Sequence, residues 1–306
     1  MPFVTGKAGA GAFRGLSNAW PEQRPAFGRH LIRSPMSEKD LKNKWAVILG
    51  ASSGLGAATA RELARCGMNV IGFYLGRGQP SSETQRFADG LAQEFGVVVK
   101  YFRANIASDE KRTAAMVQIR ETIAAHPDSA QNVHVLVHSV AFGSLLPFLD
   151  KDPAQSISRA QLEMTMDVMA NSLVYWTQDL WRNDLFVRGS RVFSMSSAGS
   201  MQVVKNYGAV GAAKAALEAY TRALAFELAP QGILVNALLV GVADTNALRK
   251  IPTQDLIVGS AMRRNPSRRL TTPEDVAVAV RSLCDPEMQW ITGATIPVDG
   301  GEIFCM

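Results

Sequence analysis

From Lys42 onward, short apolar runs alternate with longer amphipathic stretches. Runs at 45–49, 69–74, 97–102, 133–137, 191–194, 233–238 and 295–298 carry few polar positions, the pattern of strands buried on both faces. The stretches between them are long enough for crossover helices. In the first, Leu55, Thr59, Leu63 and Cys66 form one stripe while Arg61 and Arg65 fall on the opposite side, so Cys66 reads as core. The pattern predicts an α/β class, a doubly wound parallel seven-stranded sheet with helices on both faces. After the strand at 233–238, a long connection containing Asn246, Leu248, Ile251, Leu256, Ile257 and Met262 runs to Pro273. Such a segment beside a sheet end reads as a substrate lid, placed at about 242–270.

The first 40 residues lack either period, with a Gly/Ala tract at 6–13 and prolines at 21, 25 and 35. They read as an N-terminal extension, a loose leader or a packing arm, ahead of a single domain at 41–306. At 306 residues and 47% hydrophobic content the chain can close a sizeable core without disulfides or metal. Its cysteines, Cys66, Cys284 and Cys305, form no short ligand pair, which predicts a reducing compartment and no metal site. The formal charge of +5 favours anionic partners, yet no basic block suggests nucleic acid and no apolar run suggests a membrane span or secretory signal. A cytoplasmic protein is expected.

Between the first strand and helix lies Gly50-Ala51-Ser52-Ser53-Gly54-Leu55-Gly56. Glycines there permit a tight turn and bring backbone N–H groups and a helix start toward a pyrophosphate, a Rossmann-like dinucleotide turn. The second strand ends in Tyr74-Leu75-Gly76-Arg77, without the acid that would hold an NAD ribose. Arg77, helped by Ser52 or Ser53, is expected to neutralise the 2′-phosphate of NADPH, with NADH disfavoured. Ser139, Val140, Ala141 and Phe142 follow the fourth strand and are expected to line the nicotinamide side. His138 has no second ligand nearby and reads as structural.

Ser197 follows the fifth strand, and Tyr207 and Lys214 come seven positions apart, nearly two helical turns. On one helix face, the ammonium would favour phenolate, a proton relay in which Ser197 orders the substrate oxygen or the tyrosine hydroxyl.

Together with Thr292-Gly293-Ala294-Thr295-Ile296-Pro297-Val298-Asp299-Gly300-Gly301, these motifs resemble the short-chain dehydrogenase/reductase superfamily, in particular its enoyl-acyl-carrier-protein reductases, over 42–301. Most other members carry Tyr-x3-Lys, which would place the tyrosine where this chain has Val210; the Tyr-x6-Lys spacing points to the enoyl reductases. Ser197 resembles the serine of ordinary members, and the surrounding residues look most like the NADPH-dependent, triclosan-tolerant type. The resemblance implies Asn105 beside the adenine, Asn171 supporting the active-site helix, and Gly241, Val242 and Thr245 around the nicotinamide, although the family's Pro-Gly is here Val240-Gly241.

The implied reaction is hydride transfer from NADPH to the C2=C3 bond of an enoyl thioester in fatty acid synthesis. Tyr207 and Lys214 would be catalytic with Ser197 auxiliary, and Phe142, Leu248, Ile251, Leu256, Ile257 and Met262 would receive the acyl chain. Arg249, Lys250, Arg263, Arg264, Arg268 and Arg269 flank that apolar set; they would attract an acidic acyl carrier protein or coenzyme A, or else form solvated helix faces. A homotetramer is implied. An NADPH-dependent carbonyl reductase acting on a β-ketoacyl thioester, steroid or small ketone is the alternative enzyme, and a nucleotide-binding regulatory protein the non-enzyme alternative.

Overall fold

The computed structural model describes residues 41–76, 81–251 and 254–305. The extension at 1–40 and Arg77 lie outside the described residues.

Seven strands form one parallel sheet: β1 (Trp45–Leu49), β2 (Asn69–Tyr74), β3 (Val99–Arg103), β4 (Val133–His138), β5 (Phe186–Ser197), β6 (Leu234–Val240) and β7 (Thr295–Val298). Their spatial order is β3-β2-β1-β4-β5-β6-β7, as the doubly wound pattern predicts. The order reverses direction between β1 and β4, and their loops part there to leave a crevice at the carboxyl ends.

Alternation along β1 shows why both faces had to be apolar. Ala46 and Ile48 pack with Ala60 and Leu63 of α1 (Gly54–Arg65), whereas Trp45, Val47 and Leu49 join the opposite core with Ile119 and Trp176. The first core also takes Ala88 and Leu91 of α2 (Ser81–Phe95). Ile119 belongs to α3 (Asp109–Ala124), and Cys66 is buried as expected.

Three local features lie outside the sequence reading. β5 runs on to Ser197, which pairs with Val240 instead of lying in a following loop. Asn171 closes a π-helical turn (Asp167–Asn171) set between α4 (Arg159–Met166) and α5 (Ser172–Arg182). One extra residue per turn leaves no apolar-period signal distinct from an α-helix. The expected lid is no irregular loop either: after a short turn at Leu248–Lys250 it contains α7 (Gln254–Arg264), ahead of α8 (Pro273–Leu283).

Candidate active site

A cleft of about 1030 Å³ opens at the carboxyl ends of β1, β2, β4, β5 and β6. Gly50, Ser52, Ser53, Gly54, Leu55, Asn105, Ser139, Val140, Ala141, Lys214, Gly241, Val242 and Thr245 all line it. So do Phe142, Ser197, Tyr207, Leu248, Ile251, Leu256 and Ile257. Two of the expected residues that the structure describes do not. Met262 stands on the exposed part of α7, where the helical period turns it away from the wall that Ile257 and Ser260 form. Gly56 serves packing: a Cβ on it would lie 2.2 Å from the Gly50 carbonyl oxygen, so its absence lets α1 start against the turn.

The turn after β1 is shaped for an anion. Gly50 has φ 86° and a Cβ there would stand 2.0 Å from the Ser139 oxygen, so no other residue fits between β1 and β4. Ser53, the N-cap of α1, makes no side-chain capping bond, and the first turn of that helix holds no acid. Gly54 and Leu55, which open the helix, line the cleft, so the partial positive charge of the helix start lies at its wall. These features fit the phosphates of a dinucleotide.

Tyr207 does not lie within a helix as its spacing suggested. It is the residue immediately before α6 (Gly208–Leu228), and its carbonyl accepts from Gly211 N–H at 2.7 Å. Gly199 gives its ring room, since a Cβ there would lie 2.5 Å from Tyr207 Cε1 and 3.4 Å from Ser197 Oγ. Burial pushes the Tyr207 phenol above its ordinary value, and the Ser197 hydroxyl beside it pulls the other way. Ser197 Oγ is itself buried without a well-formed hydrogen bond among the described residues, so it retains capacity for a ligand oxygen.

Lys214 is reached two turns into α6 and is 5% exposed. Its Nζ donates to the Met195 carbonyl at 2.6 Å and to that of Val140 at 3.4 Å. Burial lowers its pKa to about 8, against the raising effect of Glu218 one turn on. Ser196 Oγ donates to that Glu218 carboxylate. The expectation that the ammonium draws Tyr207 toward phenolate is corrected: the lysine is anchored to backbone carbonyls, and burial keeps the phenol protonated.

His138 is structural. Ser172 Oγ donates to the Val168 carbonyl at 2.8 Å and lies 2.7 Å from His138 Nε2, which assigns the ring proton to Nε2 and leaves Nδ1 without a partner among the described residues. Full burial, then the charge of Lys214, lowers its pKa to about 3. Asn171 lies on the π-turn, donating to Asp167 and accepting from Tyr220 of α6 at 3.0 Å. It therefore ties that turn to the helix carrying Lys214.

Sequence reasoning missed the far wall, where Leu145, Met164, Val168 and Met169 face the cleft. Leu145 belongs to no periodic element, and which face Met164, Val168 and Met169 present depends on the π-turn, which leaves no signal of its own in the sequence. It also missed a polar bridge at the lid. Arg264 Nη2 donates to Glu302 at 3.1 Å, while the other oxygen of Glu302 accepts from Val242 N–H at 3.0 Å. Among the expected basic residues, Arg249 and Arg269 are likewise matched by local acids, Asp244 and Asp275. Pairing of this kind weakens their field toward a distant partner. Among the described residues, no helix is long and apolar enough to cross a membrane.

A family model described as "Enoyl-(Acyl carrier protein) reductase" matches residues 50–302. The chain is 30% identical over 263 residues to the 3-oxoacyl-(acyl-carrier-protein) reductase FabG of Pseudomonas aeruginosa, covering 85% of this chain and 98% of that one. It is 27% identical over 263 residues to the enoyl-(acyl-carrier-protein) reductase (NADH) FabI of Bacillus cereus, covering 85% and 97%. Among solved structures, the enoyl-acyl carrier protein reductase of Bacillus cereus with NADP+ and indole naphthyridinone superposes with a TM-score of 0.76 at 26% identity, covering 89% of this chain and 100% of that one.

Proposed function

The chain belongs to the enoyl-(acyl carrier protein) reductase family within the short-chain dehydrogenase/reductase superfamily, and from that premise we propose that it reduces the C2=C3 double bond of an enoyl thioester with NADPH. The carrying observation is the placement of Tyr207 in the cleft beside Ser197. Val210, four positions before Lys214, also lines the cleft but brings only an aliphatic side chain packed with Met169 and Ala213, so the phenol there is that of Tyr207.

A bound nicotinamide would supply hydride for the β carbon. The turn at Gly50–Gly54 and the start of α1 would hold its pyrophosphate, Asn105 the adenine side, and Ser139, Val140, Ala141, Gly241, Val242 and Thr245 the nicotinamide side. Hydride addition there would leave an enolate with negative charge on the thioester oxygen, and a proton from water added at the α carbon would complete the saturated thioester. Tyr207 is protonated at neutral pH, so its hydroxyl donates to that oxygen as the charge develops. Lys214, still largely protonated at neutral pH with a pKa near 8, would hold the nicotinamide ribose and add a favourable field. Ser197 Oγ is positioned to assist the same oxygen. The acyl chain lies along Ile251, Ile257, Val168 and Met169, each buried methylene contributing about 0.8 kcal/mol. Lys205 and Lys250 at the cleft, with Arg263 exposed nearby, would receive the phosphates of an acyl carrier protein or coenzyme A. Copies pairing through α5 and α6, where Trp181 and Phe226 are exposed, would form the homotetramer of a cytoplasmic enzyme.

A carbonyl reductase is the second reading, favoured by Ser197 and by a ketoacyl reductase relative at 30% identity. Purified protein with NADPH is offered matched crotonyl and acetoacetyl thioesters. Oxidation of NADPH with the crotonyl thioester is expected, and oxidation with the ketone alone would replace the first reading by the second.

A further inference from the structure

The geometry points to Arg103 as the residue that reads the 2′-phosphate of NADPH, an inference resting on the dinucleotide reading above. It is the last residue of β3, opposite Tyr74, the last residue of β2. The cleft is lined on one side of it by Tyr74, Leu75 and Gly76 and on the other by Ala104 and Asn105. Arg103 stands at the edge of that lining, its side chain reaching back to the end of β2, one of the two strand ends that flank an adenosine ribose in this sheet arrangement.

Its position is built by its neighbours. Arg103 Nε donates to the Leu75 carbonyl at 3.2 Å, which fixes the plane of the fork. Gly76 has φ 74°, and a Cβ there would lie 3.0 Å from Nε and 3.5 Å from Cζ, so a side chain at 76 would crowd the guanidinium. Its terminal nitrogens donate to no group among the described residues and the side chain is exposed. A planar fork with two free ends beside a ribose suits a phosphate monoester.

Charge around it points the same way. No Asp or Glu occurs at 74–76 or 101–108, so nothing at these strand ends would pair with a ribose diol or repel an added phosphate. Asp109 and Glu110, the next acids along the chain, are engaged by Arg112 and Lys111.

The test measures dissociation constants of the full-length protein for NADPH, NADH and 2′,5′-ADP by calorimetry. Arg103→Gln is expected to weaken NADPH and 2′,5′-ADP by about tenfold or more, the loss of a charge-assisted fork, and to leave NADH within about twofold. Arg103→Lys, which keeps the charge and the stem over Gly76, should fall between Gln and wild type. Equal weakening of both dinucleotides, or unchanged NADPH binding in the Gln variant, would overturn the assignment. A wild type that binds neither dinucleotide would overturn the cofactor reading with it, whereas NADPH binding without enoyl turnover would touch only the proposed reaction.

Discussion

The ring of Tyr207 occupies the space that a side chain on Gly199 would need, with the hypothetical Cβ only 2.5 Å from Cε1. The loop after β5 and the residue before α6 thus set the phenol's position jointly. Gly199→Ala should displace the ring and lower kcat by about tenfold or more, since small misplacements of a reacting group are expensive. NADPH affinity should stay within about threefold, because the contact lies away from the phosphate turn. Steady-state kinetics alongside direct cofactor titration checks both, and an unchanged kcat would show that the phenol position is not critical.

Tyr207→Phe keeps the ring against Gly199 and removes only the hydroxyl. Turnover should fall about a hundredfold or more, as when a general acid is lost, with cofactor binding nearly intact. Stopped-flow NADPH oxidation at saturating substrate reads this, and wild-type turnover would remove the tyrosine from the chemistry.

His138 is buried neutral, with a folded pKa near 3 against 6.5 for a free imidazole. Between those values the unfolded chain binds the extra proton, so this residue's contribution is present above pH 6.5 and is lost progressively as pH falls through that window. His138→Gln removes the titration. Urea unfolding at a series of pH values should give a shallower decline in stability below pH 6.5 for the variant than for wild type.

Lys214 behaves with the same sign at alkaline pH. Its pKa falls from 10.5 to about 8 on burial, so the unfolded state holds more protons between those values and stability rises with pH across them. Lys214→Met should therefore be more stable than wild type at pH 7, by a margin that shrinks toward pH 10, while losing activity. Unfolding curves at the two pH values test this, and a constant margin would contradict it.

The bridge of Arg264, Glu302 and Val242 N–H joins α7, the C-terminal turn and the loop after β6. Glu302→Ala strands a partly buried guanidinium and a backbone donor, and should destabilise the protein by about 2 kcal/mol. Hydrogen exchange should rise in α7 and in the segment around Val242 while α1 keeps its protection. Protection unchanged in α7 would mean that the bridge does not hold the lid.

The sheet was legible in the sequence because both of its faces are covered, so each strand had to be an apolar run such as Ala46–Leu49 with helical periods between. The turn at Gly50–Gly56 and the spacing of Tyr207, Val210 and Lys214 were legible for a related reason: close backbone approach and helical register restrict residue type at fixed offsets. What the sequence left open depended on contacts between distant segments. The extension of β5 to Ser197 follows from pairing with Val240, and the exposure of Met262 from how α7 sits beside the cleft. The protonated state of Tyr207 follows from burial, and the anchoring of Lys214 from two carbonyls on different strands or loops. Arg103 is an unremarkable strand-end cation along the chain; it became a candidate only when β2 placed Leu75 and Gly76 beside it. Local patterns fix which segments must be buried and turned, whereas electrostatic environment and register across the cleft arise only when strands far apart in sequence are brought side by side.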